Sequence, residues 1–184
     1  MTKVVISILG TDRPGIVATA SKVLFENSCN IEDVTQTVLQ TEFTSIFIVS
    51  IPEGLQLEDL LCRLEEGLTP LGLHVMVKPL ETTGELYAPR ASEPFVVTTV
   101  GPDRLGLVSG ITEVMARFGG NITSLRAAFR GGDDPTQNTM IYEVDIPTDI
   151  DHRAFREALR QRATELGLDL SLQHRDIFEA IHRV

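Results

Sequence analysis

The chain has 184 residues, 42% hydrophobic and 23% charged, with 26 Asp and Glu against 16 Lys and Arg and a formal net charge of −10. That balance excludes a protein that grips nucleic acid by its own surface, because neutralising phosphates needs clustered basic residues and no basic run occurs. Cys29 and Cys62 lack metal-ligand spacing, and no stretch approaches the roughly 20 apolar residues of a spanning helix, so a soluble cytoplasmic protein without metal or cofactor is expected.

In chain order, Val4 to Leu9 is a β-branched, apolar run ending in glycine, which predicts a buried central strand. The segment Gly10-Thr11-Asp12-Arg13-Pro14-Gly15 then turns the chain into a helix whose apolar face is Ile16, Ala20, Val23 and Leu24. Asn27-Ser28 is a stop signal, and Asn30-Ile31 opens the next strand. Phe43, Ser45, Phe47, Val49 and Ile51 alternate with Thr44, Ile46, Ile48 and Ser50, a strand that Pro52 ends. A second helix follows on Leu57, Leu60, Leu61, Leu64 and Leu68, then a strand on Leu73, Val75 and Val77.

After a Gly- and Pro-containing linker the same series is written again. Phe95 to Val100 repeats the first strand, and Gly101-Pro102-Asp103-Arg104-Leu105-Gly106 repeats the loop. Leu107, Ile111, Val114, Met115 and Phe118 repeat the helix, with Gly119-Gly120 as its stop and Asn121-Ile122 as the next strand entry. One constant offset holds from Gly10/Gly101 to Ile31/Ile122; the register moves once, across an insertion placed at Gly131 to Pro135. Tyr142 to Ile146, the helix on Phe155, Ala158, Leu159, Ala163 and Leu166, and the strand on Leu168, Leu170 and Leu172 complete the second copy.

The order is βαββαβ twice, which predicts an α+β protein of two tandem ferredoxin-like domains. The expected boundaries are residues 1–80 and 95–176, a linker at 81–94, and a tail at 177–184 in which Ile177, Phe178 and Ile181 make an apolar helical turn. Domains this small bury a modest share of their surface, so pairing into a homodimer or larger homo-oligomer is expected.

The loop carries the chemistry. Pro14 suits a first-turn position and Asp12 a capping one, while the N–H groups of Gly15 and Ile16 at the positive end of the helix dipole make a modest anion site. The amides of Asn30 and Asn121 offer a donor and an acceptor together, which suits a zwitterion. A purely structural reading stands beside this one: a tight turn, an N-cap, and an Asn that tolerates left-handed dihedrals. Arg13 and Arg104 read equally as ligand contacts or as partners of Asp12 and Asp103.

At the Gly-Thr-Asp-Arg-Pro-Gly-Ile-Val segment and the following Asn-Ile, the sequence resembles the ACT domain, in the tandem form of glycine cleavage system transcriptional repressor-like proteins. The resemblance implies ferredoxin-like domains pairing side by side into an eight-stranded sheet, with an amino-acid ligand at the interface. The implied ligand positions are Asp12, Arg13, Gly15, Ile16, Asn30 and Ile31, with Asp103, Arg104, Gly106, Leu107, Asn121 and Ile122 as counterparts. It also implies a regulator of amino-acid metabolism acting through a protein partner, such as a DNA-binding regulator. Leu105 in place of Pro14 and the longer second-copy loop depart from the pattern and put one of the two sites in doubt.

Other classes fit less well. The loop lacks the Phe-Arg closure of acylphosphatases, the four His residues stand apart from Cys or paired carboxylates, and no nucleophile motif is visible. A metallochaperone needs a Cys-x-x-Cys loop, and an RNA-recognition module needs exposed strand aromatics in a basic surround. The expectation is a non-catalytic, amino-acid-responsive regulator; a ligand-free interaction module is the alternative.

Overall fold

The computed structural model describes residues 2–80, 90–129 and 138–182, so most of the expected linker and the insertion at Gly131 to Pro135 lie outside the described residues. Two compact units form, Met1–Glu85 and Leu86–Val184.

Unit 1 runs β1 (Thr2–Thr11), α1 (Ile16–Glu26), β2 (Asn30–Leu39), β3 (Glu42–Ile51), α2 (Leu57–Leu68), a short 3-10 turn at Thr69–Leu71, and β4 (Leu73–Pro79). Unit 2 runs β5 (Ser92–Gly101), α3 (Leu107–Arg117), β6 (Asn121–Phe129), β7 (Asn138–Pro147), α4 (His152–Glu165), β8 (Asp169–His174) and α5 (Arg175–His182). The sheets have the order β2-β3-β1-β4 and β6-β7-β5-β8, with every neighbouring pair antiparallel. This is the split βαβ plan in each unit.

Alternation along β1 decides which residues meet the helices. Val4, Ile6 and Ile8 point inward and are at most 1% exposed, under Ile16, Ala20 and Leu24 of α1 and Leu60, Leu64 and Leu68 of α2. Unit 2 repeats the arrangement with Phe95 and Val97 beneath Ile111, Met115, Phe155 and Leu159. Each buried Leu or Ile contributes roughly 1.5–3 kcal/mol through removal from water.

Two elements begin elsewhere than the sequence pattern sets them. β5 starts at Ser92, whose Cα partner is Pro147, so the last residues of the expected linker are already strand. The tail makes a helix of eight residues that begins directly after β8. Each second strand carries an irregularity just after its Asn-Ile step, between Ile31 and Asp33 and between Ile122 and Ser124. A bulge there re-aims the side chains that follow.

Candidate functional site

The first strand of each unit leaves the sheet at a glycine because nothing larger fits. A Cβ on Gly10 would meet the Gly72 carbonyl oxygen at 2.6 Å and Leu73 Cδ2 at 2.9 Å; on Gly101 it would meet Leu168 Cδ2 at 2.7 Å. The chain then crosses an exposed turn. The Asp12 N–H donates to the Thr41 carbonyl at 2.8 Å, which ties the loop to the β2–β3 hairpin.

The helix is capped differently from the sequence expectation. Its N-cap is Gly15, in the left-handed region at φ 97°, and neither Asp12 nor any other side chain caps it; Gly106 does the same at φ 86°. Pro14 therefore precedes the cap rather than occupying the first turn. The Gly15 carbonyl accepts from Thr19 N–H at 2.9 Å, and the Gly106 carbonyl from Gly110 N–H at 2.9 Å. That leaves the first-turn N–H groups after each cap without intrahelical partners, with the positive end of the dipole behind them. Both glycines are exposed, and Ile16 and Leu107 anchor the turn in the core.

The arginines turn away from the neighbouring acids. Arg104 donates through Nη2 to the Leu166 carbonyl just past the end of α4. Arg13 lies over the equivalent place in unit 1, its Nη2 3.8 Å from where a Gly72 Cβ would be. A cation at a helix C-terminus is favourable, so Arg104 clamps its loop to the helix end. Asp103 accepts instead from Asn138 Nδ2 at 3.4 Å. Sequence reasoning missed the long-range partner of Arg104; the glycine that precedes each last strand, Gly72 and Gly167, was the available signal.

Asp12, Arg13, Gly15 and Ile16 thus cluster on one loop, as do Asp103, Arg104, Gly106 and Leu107. Asn30 and Ile31 do not join them. Asn30 is level with Ser50 and hence Lys3, whereas the loop leaves from Gly10, so at about 3.3 Å per residue some 23 Å of strand separates them within one unit. Asn121 and Ile122 stand in the same relation to Gly101.

Grooves of about 430 Å³ between α1 and α2 (Val23, Glu26, Asn27, Arg63) and about 460 Å³ between α3 and α4 (Glu113, Arg117, Gln161, Arg162) open on the helix layers, apart from these loops. No helix of the described residues is long and apolar enough to cross a membrane, and no cluster of three or more potential metal ligands occurs among them.

Two copies of one ferredoxin-like plan, each with a glycine-headed helix behind its first strand, define the class, and the sequence comparison agrees with it. The ACT domain family profile matches residues 2–78 and 93–173, and the chain belongs to that family. A UPF0237 protein of Methanopyrus kandleri is 40% identical over 79 residues, 42% of this chain and 88% of that protein. A protein of unknown function from Galdieria sulphuraria has a crystal structure that superposes with a TM-score of 0.76 at 26% identity, covering 94% of this chain and 98% of that one. A protein provisionally described as a glycine cleavage system transcriptional repressor shares the fold at a TM-score of 0.63 and 24% identity, over 94% of this chain and 96% of that one.

Proposed function

We propose that the chain is a non-catalytic, cytoplasmic sensor of a small amino acid, which regulates through a protein partner and works as a homo-oligomer. The observation that carries this reading is the repeated loop: an exposed turn in each unit where a left-handed glycine leaves first-turn N–H donors free for a carboxylate. Asn30 and Asn121, some 23 Å from the loop of their own unit, take part by completing the site from a second ACT domain. Ligand then favours one arrangement of domains over another, which is the requirement for coupling. Control of amino-acid metabolism of the glycine cleavage type, at the level of transcription, is the process this reading assigns, in keeping with the similarity to the repressor-like protein.

The test is a thermal-shift screen of the full chain against the twenty amino acids. A ligand bound only by the folded state adds about 2.7 kcal/mol at one hundred times its dissociation constant. A shift for one or two amino acids, lost in the double variant Asn30→Ala/Asn121→Ala, supports the sensor. No shift across the set favours a ligand-free interaction module.

A further inference from the structure

The face of each sheet opposite its helices is treated differently in the two units. In unit 2, α5 folds back over it and packs against β5 and β8. Val96, outward-facing on β5, is only 2% exposed. Arg175 anchors the helix by pairing with Glu143 at 3.7 Å and Asp145 at 3.3 Å, both outward-facing on β7.

Among the described residues of unit 1 no helix packs over the same face, and its residues are more apolar. Ile48 stands where Glu143 stands in unit 2, and Ser50 where Asp145 stands, so β3 offers an arginine like Arg175 no carboxylate at these positions; the nearby acids, Glu32 and Asp33, stand on β2, where Glu32 already accepts from Ser50. Leu9, Ile46 and Met76 are 52%, 45% and 54% exposed on it. Exposed apolar side chains gathered on one sheet face, here interleaved with Ser7 and Thr44, mark an interaction surface.

Its pattern names the occupant. Strand register places Asp33, Ile48, Val5 and Lys78 in one row across β2, β3, β1 and β4, reading acid, apolar, apolar, base. A two-fold axis parallel to the strands, between β3 and β1, lays this row on a reversed copy of itself. Asp33 then meets Lys78 of the second copy at both ends, and Ile48 meets Val5 twice in the middle. In the next row, Ile46 is placed over Ser7 and Thr35 over Met76, and no like charges meet. Lys3 and Glu32 neutralise one another at the rim. A crossing angle near 30° between stacked sheets moves the edge strands about 4 Å along each other, within the reach of a lysine.

We propose that the open sheet face of unit 1 is a self-association surface, on which two copies of this chain stack face to face in that antiparallel register. Four strands at about 4.8 Å spacing and some 23 Å of length give a contact of roughly 440 Å² in plan per copy, or roughly 880 Å² in total, which is the size of a weak, transient interface rather than a stable one. The dimer is accordingly a weak and reversible one. The inference holds whether or not the loops take a ligand, and it is distinct from edge-to-edge pairing of sheets.

Sedimentation velocity on the full chain, diluted from about 200 to 1 μM to bracket such an affinity, tests it. The expected result is a reversible dimer. Asp33→Lys alone and Lys78→Asp alone each create repulsive pairs at both ends of the row and raise the dissociation constant about tenfold or more. Mixed in equal amounts, the two variants restore near wild-type dimerisation, because only the mixed dimer matches opposite charges at both ends. Ile46→Asp, with its fold verified by circular dichroism, is monomeric. A wild-type monomer at 200 μM, single variants with the wild-type constant, or a mixture that behaves as the sum of its parts would each overturn the proposal.

Discussion

Ser28 sits at φ 57°, while its counterpart in unit 2, Gly119, sits at φ 74°. Both helices end in the same bonds: Cys29 N–H to the Leu24 carbonyl and Ser28 N–H to Phe25, against Gly120 N–H to Met115 and Gly119 N–H to Ala116. A left-handed non-glycine residue costs roughly 1–2 kcal/mol in sterics, partly offset by the entropy a glycine loses on folding. Ser28→Gly is therefore expected to stabilise unit 1 by about 0.5–1 kcal/mol, read by calorimetric melting of the full chain. Tyr142 makes a different point, in the core of unit 2, where it is 0% exposed. Burial raises its phenol pKa above the usual value near 10, and the nearby Thr99 side chain partly offsets this. The folded state then holds the proton to higher pH than the unfolded chain. The stabilising difference is complete below about pH 10 and declines above it, by at most about 1.4 kcal/mol per pH unit. Denaturation from pH 8 to 11 should show wild type losing stability relative to Tyr142→Phe only above about pH 10; a constant difference across that range would refute it.

Among the elements, the helix pairs show one contact solved twice with the partners exchanged. In unit 1, Gly67 of α2 lies against α1, where a Cβ would meet Thr19 Cγ2 at 3.3 Å and Val23 Cγ2 at 3.4 Å. The register that aligns the copies sets Thr19 on Gly110 and Gly67 on Arg162. In unit 2 the glycine is therefore on α3, and a Cβ on Gly110 would meet Leu166 Cδ1 at 2.9 Å and Arg162 Nε at 3.0 Å. One side of this crossing has to be small. Gly110→Thr alone is expected to cost about 1–3 kcal/mol by overpacking, although threonine is the better helix former. Adding Arg162→Gly recreates the unit 1 pairing and should recover at least half of that loss, a coupling measurable by a double-mutant cycle.

Much of this organisation is legible in sequence, and what is not has a common cause. Local periodicity names most strands and helices from Val4 to Leu172, since these bury one face; β2, exposed along nearly all its length, is named only by its Asn30-Ile31 entry. The loop is legible from its glycines. The helix cap is not, because Asp12 and Gly15 are both permitted there and the backbone path decides between them. The contact of Arg104 with Leu166, the exchange at Gly110 and the folding back of α5 depend on which distant segments meet. The distance between Asn30 and the loop is an intermediate case. It follows from β1 and β2 both pairing antiparallel to β3, which places the start of β2 at the end of the sheet opposite the loop.

At the scale of the whole molecule, the two units divide one problem between two solutions: unit 2 covers its open sheet face with α5, and unit 1 presents its face to a second copy. The division depends on the last helix, which Arg175 holds over the carboxylates of Glu143 and Asp145. Those ion pairs are about one-third exposed at each partner, so they direct the helix more than they stabilise it, roughly 0–1 kcal/mol each. The packing of the helix against β5 and β8 supplies the remainder. Arg175→Ala should leave the helix in place with slightly faster amide exchange. Ending the chain at His174 removes the cover altogether and exposes Val96 on a sheet that also bears Ile141 and Val100 on that side. Each molecule then carries two open faces instead of one. Where the full chain stops at a dimer, the shortened one is expected to form larger species at the same concentration, seen in sedimentation velocity as mass beyond two copies. Ile46→Asp in the shortened chain closes the first route and returns it to a single associating face, which limits it again to a dimer. Dimers only, before that substitution, would mean that the covered face of unit 2 has no affinity of its own.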